Sequence, residues 1–254
     1  MRLDGRVAII TGGAGGIGLA AARLFLKEGA AGVHLVDLSE EALTDAAAEL
    51  DGERVGISAA DVSKDGDVAR YMAEARERFG RVDILFLNAG VEGVVKSLEE
   101  YPEEIYDLVM GVNVKGVWLG MKHGFPALEE AGGGSVIITS SVAGLQGTPN
   151  VSAYTTSKHA TIGLMRSGAL EGAARGIRVN SIHPSPVDNR MMRSLEEGFA
   201  PGAATEAKKG FEGMIPLGRY ATNDEIAAAA LFLASDESRF ITGAVIPVDG
   251  GLTA

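Results

Sequence analysis

The segment TGGAGGIG, Thr11 to Gly18, follows a short apolar run and precedes an amphipathic one. Glycines there let backbone approach a pyrophosphate, and the free N–H groups and dipole of a following helix favour an anion. The plain alternative is a tight strand-to-helix turn with no ligand. In the anion reading the backbone of Gly12, Gly15, Gly16, Ile17 and Gly18 faces the phosphates. The next apolar run ends in Asp37, at the distance expected of a ribose-binding carboxylate, roughly 20 residues on. A carboxylate there accepts hydrogen bonds from adenosine ribose hydroxyls and repels a 2′-phosphate. No Arg or Lys follows Asp37 closely and none lies in the loop, so NAD is favoured over NADP. Asp37 could otherwise simply cap a helix. Tyr154 and Lys158 stand four apart in YTTSK, which puts both on one face of a helix. Ser141 lies just past another apolar run, thirteen residues before Tyr154. Strand C-terminal ends line the ligand crevice of an open α/β sheet, so Ser141 can meet Tyr154 there. A Tyr/Lys pair alone is common on helix surfaces.

These residues need a scaffold, and the pattern supplies one. Short apolar runs read as strands at Arg6 to Ile10, Val33 to Asp37, Arg54 to Asp61, Val82 to Asn88, Ser135 to Ser140, Ile177 to Ile182 and Ala244 to Asp249. They are rich in Val and Ile and do not alternate with polar residues, as in strands buried on both faces. Helices are expected at Gly16 to Glu28, from an N-cap at Ser39 to Leu50, up to about Phe79, as two helices over Glu100 to Glu130, at Ser152 to Arg175 and at Asp224 to Ala234. Alternating strands and helices imply right-handed parallel βαβ units. The expected fold is α/β: a Rossmann-type, doubly wound, parallel seven-stranded sheet with helices on both faces. The 254 residues fit one such domain, 1–254, with an irregular stretch from Pro184 to Pro216 read as a lid at about 185–216.

Composition narrows the function classes. There is no cysteine, which excludes disulfides, zinc-thiolate sites and a cysteine nucleophile. Four histidines without metal-ligand spacing indicate no metal site. Net charge is −11, which opposes binding to nucleic acid or anionic lipid and otherwise serves solubility. No apolar stretch approaches the roughly 20 residues of a membrane span. The N-terminus reaches its first strand too soon for a signal peptide, so the expected location is cytoplasmic.

Taken together, TGGAGGIG, Asp61-Val62, NAG at Asn88 to Gly90, Asn113 in GVNVKG, ITSSVAG ending at Gly144, YTTSK, HPSPV at His183 to Val187 and VDGG at Val248 to Gly251 make the chain resemble the short-chain dehydrogenase/reductase family, in its shorter cytosolic branch. The resemblance covers nearly the whole chain. It implies NAD-dependent interconversion of a secondary alcohol and a ketone, with Tyr154 as general acid/base. A free phenol has a pKa near 10. Lys158 and the positive nicotinamide ring would lower it by stabilising phenolate. By the same resemblance Lys158 also holds the nicotinamide ribose, Ser141 binds the substrate oxygen, and Asn113 holds a water that links Lys158 to solvent. Leu38, Asp61 and Val62 would border the adenosine, and Asn88, Ala89 and Gly90 would pass beneath it. Pro184, Val187 and Asn189 would border the nicotinamide. His183 reads as packing, Ser140 as loop support and Trp118 as core or subunit interface.

Two positions depart from the family pattern. Ser185 stands where Gly is usual and Asn189 where Thr is usual. Ser185 loses glycine's backbone freedom, so the nicotinamide loop is expected to sit differently. The substrate pocket is expected among Val91, Val94, Val142, Leu145, Met191, Met192, Leu195, Phe199 and Met214, with Ser141 and Tyr154 at its base. Most are apolar, so a small alcohol or ketone of little charge is expected. Two other functions remain open. Reduction of an acyl-carrier-protein thioester would want NADPH and a basic docking patch, which Asp37 and the negative charge oppose. A non-catalytic dinucleotide-binding protein would not need Ser141, Tyr154 and Lys158 together. The resemblance also implies a homotetramer, through the helices of Asn113 and Tyr154 and through the VDGGLTA tail.

Overall fold

The computed structural model describes residues 1–50 and 52–254. Seven strands form one sheet: β1 (Val7–Thr11), β2 (Gly32–Asp37), β3 (Val55–Ala59), β4 (Ile84–Leu87), β5 (Gly134–Thr139), β6 (Ile177–Pro184) and β7 (Val245–Val248). All neighbours are parallel, in the order β3-β2-β1-β4-β5-β6-β7. This is the doubly wound Rossmann-type arrangement. Nine α-helices, among the described residues, link or cover the strands: α1 (Gly16–Lys27), α2 (Glu40–Ala48), α3 (Asp65–Phe79), α4 (Glu103–Met110), α5 (Gly116–Glu130), α6 (Ser152–Ala173), α7 (Arg190–Phe199), α8 (Ala204–Met214) and α9 (Asn223–Ala234).

The non-alternating strands have a direct packing reason. Ala8, Ile10, Ile84, Phe86 and Ile137 join the core with Phe25 of α1 and Leu231 of α9. Ile9, Leu85, Leu87, Val136 and Ile138 join the opposite core with Tyr71 of α3, Leu119 of α5 and Met165 of α6. Successive side chains point to opposite faces, so a sheet covered on both sides needs apolar residues at every position. The edge strands relax this rule: Ile57 of β3 is exposed and β7 is only partly covered.

Local signals set the element ends. Ser39 caps α2 by accepting from the Ala42 N–H at 3.1 Å. Thr222 and Glu225 form a reciprocal capping box on α9. Gly80 closes α3 at a φ of 77°. The two helices expected over Glu100 to Glu130 are α4 and α5, and a π-helical turn, Gly111–Lys115, joins them. Apolar periodicity carries no mark of one extra residue in a turn. The stretch from Pro184 to Pro216 is not irregular, since it contains α7 and α8. These pack through Phe199 and Phe211, whose ring centroids lie 5.5 Å apart.

The base of the sheet is tied by Asp83, whose side chain is fully buried between two arginines. It accepts from Arg81 Nη2 at 2.6 Å, Arg6 Nη1 at 3.3 Å and the Val7 N–H at 2.9 Å. Asp83→Ala leaves the Val7 N–H of β1 without its acceptor. It should lower stability by about 2–4 kcal/mol, read as a shift of the urea midpoint without a change in slope.

Candidate active site

The chain reverses its winding direction between β1 and β4, which are adjacent in the sheet. A crevice opens outside the carboxyl ends of the strands at such a point. The loops after β1, β4, β5 and β6 therefore converge, and they carry TGGAGGIG, NAG, Ser141 and residues 185–189 respectively.

The glycine loop is shaped by close approaches. Gly12 has φ +64°, and a Cβ on it would meet Ala89 and Asn88 at 3.0–3.2 Å. A Cβ on Gly18 would lie 2.1 Å from the Gly12 carbonyl oxygen, so no other residue fits. Gly15 faces open space, and α1 starts with no side-chain cap. Uncapped N–H groups beside an open, side-chain-free surface suit a pyrophosphate. Asp37 accepts from the Ala14 N–H at 3.2 Å and the Leu38 N–H at 2.8 Å. Its position at the end of β2, partly exposed, leaves the carboxylate oxygens further lone pairs for ribose hydroxyls. Leu38 is exposed beside it. Asp61 accepts from Ser63 Oγ at 2.7 Å, which shapes the turn that presents Val62.

Asn88 acts on the protein rather than outward. Its amide donates to the carbonyls of Thr11 and Gly12 and accepts from Thr139 Oγ1 at 3.0 Å. Thr11 Oγ1 in turn accepts from the Asn88 and Ala89 N–H groups, both at 3.0 Å. These bonds pin the glycine loop to β4 and β5. Asn189 caps α7 through Met192 N–H and donates to Asn223 Oδ1 at 3.4 Å. It stands beside Gly16, whose Cβ would lie 3.8 Å from its amide nitrogen. Val187 is buried and bridges Ala221, and Pro184 ends β6. Ser185 does not adopt the left-handed backbone that would demand glycine, and its N–H bonds the Val248 carbonyl at 3.3 Å. The expected displacement of this loop by Ser185 has no backbone cause.

The YTTSK spacing does place Tyr154 and Lys158 together on α6. The Lys158 ammonium lies 5.3 Å from the Tyr154 ring centroid and donates to the Thr139 carbonyl at 2.9 Å. Burial pushes Lys158 down to about 8. Burial pushes the Tyr154 phenol up to about 12; the hydrogen bond with Ser141 acts the other way, and the negative charge of Glu92 adds to the rise. Ser141 thus meets Tyr154, as its place past β5 predicts.

Asn113 sits in the π turn, fully buried. Its side chain accepts from the Val91 N–H at 2.8 Å and donates to the Val91 carbonyl at 2.9 Å and to Ser157 Oγ at 3.0 Å. Ser157 Oγ donates to the Tyr154 carbonyl at 2.7 Å. The Asn113 amide is therefore a brace between the loop after β4 and α6. Ser140, read as loop support, donates to the Lys158 carbonyl at 2.9 Å.

Two residues of the site escaped the sequence reading. His183 is more than packing. Its Nδ1 lies 2.9 Å from the Ser141 carbonyl, which can only accept, so Nδ1 carries the proton. Nε2 then accepts from Ser181 Oγ at 2.8 Å. Burial lowers its pKa to about 4, so it holds Ser141 as a neutral ring. Glu92, directly after the NAG-Val segment, is buried, and its charge is felt at Tyr154. An acidic residue next to a cofactor loop was the available signal.

The apolar pocket candidates divide. Val91, Val94 and Met191 are partly exposed, and Val142 is buried behind Ser141. Leu145 packs on the core beneath the sheet. Met192 and Leu195 form a small apolar cluster with Ile215 and Tyr220, and Phe199 meets Phe211 edge-on. Those three hold α7 to its neighbours. Met214 is exposed at the end of α8. Among the described residues there is no acidic, histidine or cysteine group that could hold a metal ion, and no helix long and apolar enough to cross a membrane.

Comparison with known proteins agrees with this geometry. A profile described as enoyl-(acyl carrier protein) reductase matches residues 12–253. Levodione reductase of Leifsonia aquatica is 37% identical over 100% of this chain and 96% of its own length, and its crystal structure superposes with a TM-score of 0.95 over 98% of both chains. Meso-2,3-butanediol dehydrogenase of Serratia marcescens is 40% identical, covering 100% of this chain and 97% of that enzyme. An NAD+-bound xylitol dehydrogenase structure, 31% identical, gives a TM-score of 0.93 over 99% of this chain and 100% of that one. Profile, relatives and structures all cover nearly the whole chain, and the chain belongs to the short-chain dehydrogenase/reductase family of oxidoreductases.

Proposed function

We propose that this chain is an NAD-dependent oxidoreductase that interconverts a secondary alcohol and a ketone, acting as one nucleotide-binding domain over its length. The observation that carries the reading is the buried Lys158 ammonium, 5.3 Å from the Tyr154 ring centroid, with Ser141 acting on the same phenol, at the crevice that the glycine loop opens. The open, uncapped start of α1 and the partly exposed Asp37 fit NAD. Gly15, Gly16 and Ile17 would hold its phosphates, Asp37 its adenosine ribose, Asp61 and Val62 its adenine side, and Lys158 and Val187 its nicotinamide half. When bound, NAD supplies the hydride acceptor or donor.

The protein's own residues handle the proton. Ser141 holds the substrate oxygen and Tyr154 exchanges a proton with it. Lys158 stabilises the phenolate by charge. Asn113 and Ser157 keep the Tyr154 turn in register with the loop at Val91. His183 keeps the Ser141 backbone in place. The relatives named above include a dehydrogenase of meso-2,3-butanediol, a secondary alcohol, which supports this substrate class. Reduction of a carrier-protein thioester is opposed by Asp37 and by the net charge of −11.

The test is a panel of secondary alcohols with NAD+ at alkaline pH, followed by NADH absorbance. Formation of NADH from at least one alcohol is expected. Tight NADH binding with no turnover of any alcohol would make the chain a dinucleotide-binding protein instead. A homotetramer in the cytoplasm goes with the proposal. Its support is the exposure of Trp118 on α5, Leu170 on α6 and Phe240 near β7, and sedimentation reads it directly.

A further inference from the structure

Glu92 is 7% exposed, and Arg190 Nη1 at 3.8 Å is the one partner recorded for its carboxylate among the described residues. Arg190 is 81% exposed in its side chain, so water screens that pair. A buried carboxylate so thinly satisfied is costly to keep. It also stands where its charge opposes ionisation of Tyr154. Structural need does not explain it, since Asn113 already pins the loop through the Val91 backbone.

The setting says where the carboxylate stands. Val91 is braced through Asn113 and Ser157 to the Tyr154 backbone, so residue 92 is held in register with the catalytic phenol. On the other side α7 starts at Arg190 and closes over Val95, since a Cβ on Gly198 would lie 2.7 Å from Val95 Cγ2. Glu92 thus lies on the loop after β4, beside the start of α7.

Resting on the oxidoreductase reading, we propose that Glu92 is a substrate-binding residue that accepts a hydrogen bond from a second hydroxyl of the substrate, so that the preferred substrates are diols and their hydroxyketones. A neutral hydroxyl can donate to a carboxylate oxygen, and the screened Arg190 contact leaves lone pairs free for it.

The test compares 1,2-cyclohexanediol, cyclohexanol and 2-aminocyclohexanol with NAD+, in wild type, Glu92→Gln and Glu92→Leu. Wild type should favour the diol over cyclohexanol by about 10- to 100-fold in kcat/KM, mostly through KM, as for a hydrogen bond to a charged acceptor. Both variants should cut that ratio at least about tenfold. The Glu92→Gln pH profile should also move toward lower pH, because the charge that opposes phenolate is gone. An unchanged diol preference in correctly folded variants would overturn the assignment and leave the oxidoreductase reading standing. Preference for the aminoalcohol over the diol would overturn the hydroxyl in favour of a cation. Turnover of no alcohol at all would overturn both readings.

Discussion

Tyr154→Phe should lower kcat for alcohol oxidation by about 10³-fold, inside the span of about 10²- to 10⁴-fold typical of a lost general acid/base. That is about 4 kcal/mol of barrier. The ring stays in place and only the hydroxyl is lost, so the fold should survive, with thermal unfolding close to wild type. The pH dependence follows from the electrostatics. Burial holds the phenol up at about 12, so it stays protonated through neutral pH. Ketone reduction needs the protonated form and should be nearly flat from neutral pH into the mildly alkaline range. Alcohol oxidation needs phenolate, whose fraction grows with pH, so its kcat/KM should climb. The climb should slacken above about pH 8, where Lys158 loses the charge that supports phenolate. Equal turnover by Tyr154→Phe and wild type would remove Tyr154 from the chemistry.

The second large effect concerns the choice of dinucleotide. Wild type should prefer NADH to NADPH by about 10²-fold in kcat/KM, and Asp37→Ser should bring the two within about tenfold. A 2′-phosphate would approach the Asp37 carboxylate at the end of β2. Each pair of like charges at about 4 Å costs about 1 kcal/mol in bulk water and about 4 kcal/mol near a protein surface. At about 1.4 kcal/mol per tenfold, a cost between those limits gives the stated preference. Serine keeps a hydroxyl for the ribose and removes the repulsion. The Ala14 and Leu38 N–H groups that Asp37 holds would still find water, so stability should change little. A wild-type preference for NADPH would reverse the cofactor assignment and revive carrier-protein thioester reduction.

Much of the site was legible before folding because its parts are local in the chain. The strand, glycine loop and helix from Val7 to Lys27 are contiguous, so their order and composition announce an anion site. Tyr154 and Lys158 are one helical turn apart, so the α-helical period alone aligns them. Continuous apolar runs disclosed a sheet covered on both faces, and hence its parallel winding. Asp37 at the end of β2 followed from the same periodicity.

What needed the folded chain were pairings across long sequence gaps and the conformation of single turns. Nothing near Asn113 in the sequence says that its amide would brace Val91 and Ser157, because those partners meet only when the loop after β4 packs against α6. His183 became a support for Ser141 through the neighbouring ends of β5 and β6. Glu92 acquired its meaning from burial on the loop after β4, beside the start of α7. A residue's type states what chemistry it can do, but solvent exclusion and partners decide whether it does it. Composition and periodicity are properties of neighbours along the chain, so they carry the elements and the motif residues. Desolvation and long-range contact are properties of neighbours in space, so the tuned phenol, the braced asparagine and the buried carboxylate belong to the tertiary structure alone.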